Sequence, residues 1–198
     1  MNFFKANSYD IVKLYINQIG IAIFSFVLYT AVGSMGDESF IDGLNIGISI
    51  FSMIFYFALL YNVSWEYGAK DKIRADANKI YFDKFKGLKM ALFACVPNVA
   101  LSLITAVFGF IYRISSLELA AVISGVANFF MRITMSMYNG IIQTAFGAFE
   151  SVADFSFLGS ALVFMLVSTL SIAVNHFSFT LGAREIKLFG FLSSGKKK

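Results

Sequence analysis

The sequence predicts an all-α membrane protein, and three observations carry that expectation. Hydrophobic residues make up 58% of the 198-residue chain and charged residues 14%, against about 45–50% and about 25% in soluble domains. Apolar runs of about 20 residues, the length that crosses a bilayer core as a helix, recur at 11–33, 44–65, 90–112 and 157–181. Apart from Lys13, the basic residues collect between these runs rather than inside them. With a mean hydropathy of +0.74, no water-soluble core could hide the apolar surface, and the spans leave no room within 1–198 for a separate catalytic domain. The whole of 1–198 reads as a single integral membrane domain.

The run at 11–33 is too long for the apolar part of a secretory signal, and Asp10 precedes it beside Lys5, so it reads as the first crossing. The second run, 44–65, ends in SWEYGAKD at 64–71. The last run, 157–181, ends in SFTLGARE at 178–185, which matches it type for type: Ser, aromatic, any, large, Gly, Ala, basic, acidic. Each phrase is read as a helix reaching the cytoplasmic face, with the aromatic ring at the headgroups and the Lys70-Asp71 or Arg184-Glu185 pair in water. LYINQIGIAIFSF from Leu14 and MYNGIIQTAFGAF from Met137 also resemble each other, so helices 1–2 and 5–6 read as a parallel duplicated hairpin.

Segment 117–149 is the difficult one, too long for one ordinary crossing and barely enough for two, with Arg132 in its middle. Two crossings give six helices with both termini cytoplasmic and put 15 of the 16 basic residues on the cytoplasmic side, only Arg113 falling outside. Ser115-Ser116-Leu117-Glu118 reads as a capping box opening the short fourth helix. The alternative is five helices, with 117–149 as one long or re-entrant helix. Ser124, Asn128, Arg132, Ser136, Asn139 and Gln143 recur at steps of three or four, as on one helix face.

The polar residues of the spans fall at similar depth. Asn17, Asn62, Asn98, Asn128, Arg132, Asn139, Gln143, Asn175 and His176 are the candidate lining of a polar vestibule open to the cytoplasm, because amides in hydrocarbon must pair or face water. The competing reading makes them interhelical glue, worth about 0.6–2 kcal/mol each. Arg132 needs an acidic partner, and Glu66 is the nearest carboxylate by topology, giving a candidate Glu66–Arg132 ion pair. His176 reads as a buried imidazole held by an amide or backbone, Pro97 as a kink, and the single cysteine, Cys95, as a packing residue. The basic cytoplasmic loop 66–89 offers Lys70, Lys72, Arg74, Lys79, Lys84 and Lys86 to anionic lipid headgroups or to a docking protein, as an interfacial helix or a small hairpin.

NQIGIAIF in the first helix, SWEYGAKDKIR ending the second and GLKMALFACVPN opening the third resemble small multi-pass membrane proteins of Gram-positive bacteria. The resemblance covers about the first hundred residues, implies a multi-pass plasma-membrane location and attaches no activity. No phosphate-binding loop, zinc-protease motif, nucleophile elbow or paired intramembrane carboxylate is present, so neither catalysis nor a cofactor nor a metal is expected. The net charge of +4 is accounted for by membrane topology, which leaves nothing to suggest nucleic acid. Two functions are expected: a transporter or transporter subunit with the cytoplasm-facing vestibule, or a non-catalytic interaction or scaffold protein that recruits a partner through 66–89.

Overall fold

The structure, a computed structural model, describes residues 3–34, 38–147 and 156–188; among them there is no strand. The helices are α1 (Phe3–Gly33), α2 (Glu38–Asp76), α3 (Lys86–Ser115), α4 (Glu118–Thr134), α5 (Asn139–Gly147) and α6 (Ser156–Ala183), with one 3₁₀ turn, Ser136–Tyr138, between α4 and α5. Asp37, Glu150, Asp154 and the three terminal lysines lie outside the described residues.

Four helices, α1, α2, α3 and α6, are long and apolar enough to cross a membrane, and the count rises to five if the bent pair α4–α5 is one span. At 1.5 Å per residue, α4 and the described part of α5 measure roughly 25 and 14 Å, each short of an apolar bilayer core of about 30 Å. They meet at 77°. A sixth full crossing is not shown; the described part of 117–149 is neither one long straight helix nor two helices of full crossing length, but a pair bent as a broken or re-entrant span would be.

One end of the bundle gathers the start of α1, the end of α2, the start of α3 and the end of α6. Phe3 stacks on Phe93 of α3 with ring centroids 6.0 Å apart. Phe179 of α6 lies against both Gly68 of α2 and Gly87 of α3. This is the basic end, because Lys70 to Lys89, Arg184 and Lys187 project from it. The exterior along the helices is an apolar coat, with Ile16, Ile54 and Leu166 all more than half exposed, a surface suited to hydrocarbon rather than water.

The two similar phrases at the ends of α2 and α6 pack against each other. A β-carbon on Gly68 would run into the Phe179 carbonyl oxygen, and one on Gly182 would run into the Trp65 carbonyl oxygen. Each phrase thus sets its glycine on the aromatic position of the other, and the missing side chains let two parallel backbones touch. Lys70-Asp71 does not lie free in water. Asp71 is buried and holds Lys86 at 2.7 Å, which ties α2 to the start of α3. The indole N–H of Trp65 donates to the Ile186 carbonyl at 2.8 Å, and Lys187 lies 5.1 Å from its ring.

Segment 66–89 is mostly helix rather than loop. α2 continues to Asp76, carried beyond its apolar part by the i,i+4 ion pairs Glu66–Lys70 and Lys72–Asp76, both 2.6 Å. Only 77–85 is non-helical, so neither the separate interfacial helix nor the hairpin forms. In that turn the Asp83 carboxyl, which burial alone would raise, is held below its ordinary pKa by hydrogen bonds from Lys89 and the Phe85 N–H and by the nearby Lys89 and Lys86 charges. The expected capping box is also not made. Ser115 bonds back to the Ile111 carbonyl, Ser116 takes a left-handed φ of 51° to close α3, and α4 opens on Leu117 without a side-chain cap. Pro97 sits within α3 without ending it.

Candidate functional site

The residues with the most demanding chemistry surround the break between α4 and α5. Thr134, Ser136, Tyr138 and Asn139 are poor helix formers, several of them able to bond backbone groups in place of the helical ladder. The chain stops being α-helical here, yet the break is deep inside: Met135, Ser136, Met137 and Tyr138 are at most 2% exposed. Its neighbours are the middles of other helices. Ser136 donates to the Ala22 carbonyl of α1, Ser102 of α3 contacts the Met131 sulfur, and Ser168 of α6 the Met135 sulfur.

A helix end buried in an apolar interior must find partners for its free carbonyl and N–H groups, and side chains together with the Met135 N–H supply them. The Met131 carbonyl accepts from the Met135 N–H and Thr134 hydroxyl, the Arg132 carbonyl from the Asn139 amide at 3.1 Å, the Ile133 carbonyl from the Met135 N–H, and the Thr134 carbonyl from the Gln18 amide at 3.4 Å. On the other side of the break, the Gly140 and Ile141 N–H groups donate to the Ser49 hydroxyl of α2 at 2.9 and 3.2 Å. Gly140 N–H also reaches the Tyr29 hydroxyl at 2.9 Å, and Tyr29 bonds both Ser49 and the Asn45 carbonyl. The protons balance if Tyr29 donates to Asn45 and Ser49 donates to Tyr29, leaving both Ser49 lone pairs for N–H groups. A β-carbon on Gly140 would collide with the Asn45 carbonyl, so glycine is what lets α5 lie on α2.

The nine vestibule candidates do not converge on one chamber. Gln18, which neighbours Asn17 at the same depth, lines a cavity with Asn175, Tyr56, Cys95 and Ser171, but its volume is about 10 Å³, room for about one water molecule. Asn98 is 1% exposed and buries its side-chain oxygen without a hydrogen-bond partner among the described residues. Asn62 and Gln143 are exposed on the outside of the bundle, and Asn17 is half-buried. Asn139 is occupied in capping α4. Among the described residues His176 does not find the expected amide or backbone partner for its Nδ1; its ring stacks on Phe85 at 6.0 Å.

The Glu66–Arg132 pair does not form. Glu66 lies at the basic end and takes Lys70, whereas Arg132 belongs to the middle of the bundle, beside Met131 and the break. Among the described residues Arg132 has no ion pair. Its Nε donates to the Asn128 side chain at 3.4 Å, and the residue is exposed. An arginine at such a depth costs at least about 2.5–3.5 kcal/mol in hydrocarbon. Among the docking candidates, Lys70, Lys72 and Lys86 are neutralised in ion pairs. Arg74, Lys79 and Lys84 remain exposed, interleaved with Ile73, Ile80 and a 94% exposed Tyr81.

Sequence reasoning counted amides and missed hydroxyls. Tyr29, Ser49 and Ser171 bond within the interior as Gln18 does, and their signal was available as Ser and Tyr set singly inside apolar runs. Among the described residues no three of His, Cys, Asp and Glu gather as metal ligands would. Compared with protein-family models, with curated proteins and with solved structures, the chain has no match.

Proposed function

We propose that this chain is a non-catalytic subunit of a membrane assembly, a helical bundle crossing the plasma membrane with its basic end on the cytoplasmic side. The observation that carries the proposal is the destination of the buried polar groups. Gln18, Tyr29, Ser49 and Asn139 are spent on the chain's own broken backbone, and the cavity that Gln18 and Asn175 line admits about one water. The orientation is supported by the basic residues at the end shared by the start of α1 and the end of α6. Both ends can share a side without a fifth and sixth full crossing if α4 and α5 enter and leave from the opposite face. The reciprocal glycine contacts of α2 and α6 support a local two-fold relation between the two phrases. At the basic end, Arg74, Lys79, Lys84, Ile80 and Tyr81 suit the anionic inner leaflet or a cytosolic partner.

The transporter reading is kept by one specific observation. An interrupted helix at mid-depth is how many transporters build a substrate site, and Gln18, which bonds the break at Thr134, also lines the small, mostly apolar cavity with Asn175. The native Cys95 tests the choice because it lines that cavity and is buried. In sealed inside-out vesicles it should resist a charged thiol reagent until the protein is denatured. Labelling of Cys95 in the folded state, lost on Asn175→Trp, would establish a vestibule that opens and sink the sealed-subunit reading.

A further inference from the structure

The outer face of α4 presents a charge where a bilayer has none. Arg132 is exposed at the depth of Ala22, Ser102 and Ser168, the middles of α1, α3 and α6. The carboxylates whose side chains are described, namely Asp10, Glu66, Asp71, Asp76, Asp83, Glu118 and Glu185, all lie towards the helix ends. A second copy of the chain offers none of these at the height of Arg132. A lipid phosphate lies about 15 Å away, half the thickness of the apolar core, further than an extended arginine side chain reaches.

The same face is shaped for a helix. Ala121, Gly125, Asn128 and Arg132 follow one another at steps of four, three and four, and so share an edge of the exposed arc. Gly125 is exposed, and a β-carbon there would meet nothing within 4 Å, so no packing among the described residues accounts for it. Small residues four apart let a neighbouring helix approach closely within a membrane. Val122, Val126 and Phe129 flank them, all more than half exposed. Polar residues beside a small-residue groove suit a partner that is apolar except at one height.

We propose that this face of α4 docks a membrane-spanning helix of a different protein, with an Asp or Glu of that helix paired to Arg132 at mid-depth. The proposal rests on the assembly-subunit reading and supplies its partner. A sealed interior can survive its failure, and an opening Cys95 cavity would not touch it.

The test places a photo-crosslinking amino acid at Val122 or Phe129 of the full chain in its native membrane and identifies the adduct by mass spectrometry. The expected adduct is a protein with a spanning helix that carries a carboxylate at mid-length. Its yield should fall at least tenfold with Arg132→Leu and with Gly125→Leu, and exchanging the charges, Arg132→Glu with the partner carboxylate changed to Arg, should restore it. Gly125→Leu alone should melt in detergent at the temperature of the unaltered chain; a lower temperature would mean that the face is packed internally and would overturn the proposal. Adducts to lipid alone, to a second copy alone, or no adduct would also overturn it. So would an equal stability loss in Arg132→Leu and in a Glu150→Gln/Asp154→Asn variant with no further loss when they are combined, since that pattern marks an internal ion pair.

Discussion

Gly182→Val, and equally Gly68→Val, should cost the upper end of the roughly 1–3 kcal/mol typical of overpacking, or more, and should lower the melting temperature in detergent sharply. At each position the added β-carbon meets a backbone carbonyl of the opposite helix closer than 3.0 Å, not the movable tip of a side chain. Relief requires α2 and α6 to separate. That would also disturb the contact of Phe179 with Gly87 and the tie from Trp65 to Ile186. Even Gly182→Ala should destabilise, while Gly20→Ala, where nothing lies within 4 Å, should be neutral or slightly stabilising. Equal melting temperatures for Gly182→Ala and Gly20→Ala would mean that the two backbones are not in contact.

The second large effect is expected at Ser49. Ser49→Ala leaves the Ile141 N–H without its hydroxyl acceptor, whereas the Gly140 N–H keeps Tyr29. Each buried group left unsatisfied costs about 1–3 kcal/mol. Tyr29→Phe should be milder, because Ser49 still accepts from both N–H groups. In the double variant the Gly140 N–H loses both of these hydroxyls, so the loss should exceed the sum of the single losses. Hydrogen exchange at the Gly140 and Ile141 amides, with thermal melting of all three variants, reads this directly. Simple additivity would show that Ser49 and Tyr29 do not share these donors.

The sequence made the four long helices legible because each is a continuous apolar run, and length against bilayer thickness suffices to find such runs. It also marked 117–149 as anomalous. The end of a short fourth helix before Met137 was legible, but how that break is held was not, because its partners are distant: Gln18 reaches Thr134, Ser136 reaches Ala22, and Ser49 reaches Gly140. Depth alone made these amides look like the lining of one chamber, since depth along a helix is readable from sequence but rotation about its axis is much less so. That is why Asn62 and Asn175 were grouped, although one faces outward and the other inward. The 66–76 segment was misjudged for another reason. Its charges looked like a loop in water, but they are spaced to pair along a continuing helix and to anchor α3.

α2 is unbroken from Glu38 to Asp76 and carries two fixed appointments, Ser49 with α5 and Gly68 with α6. Each residue of an α-helix turns the chain by about 100°, so inserting or deleting one residue between these positions would swing one contact face away from its neighbour. The spacing between them is therefore a fixed length, and related chains should differ freely in size at the 77–85 turn but not along this stretch of α2.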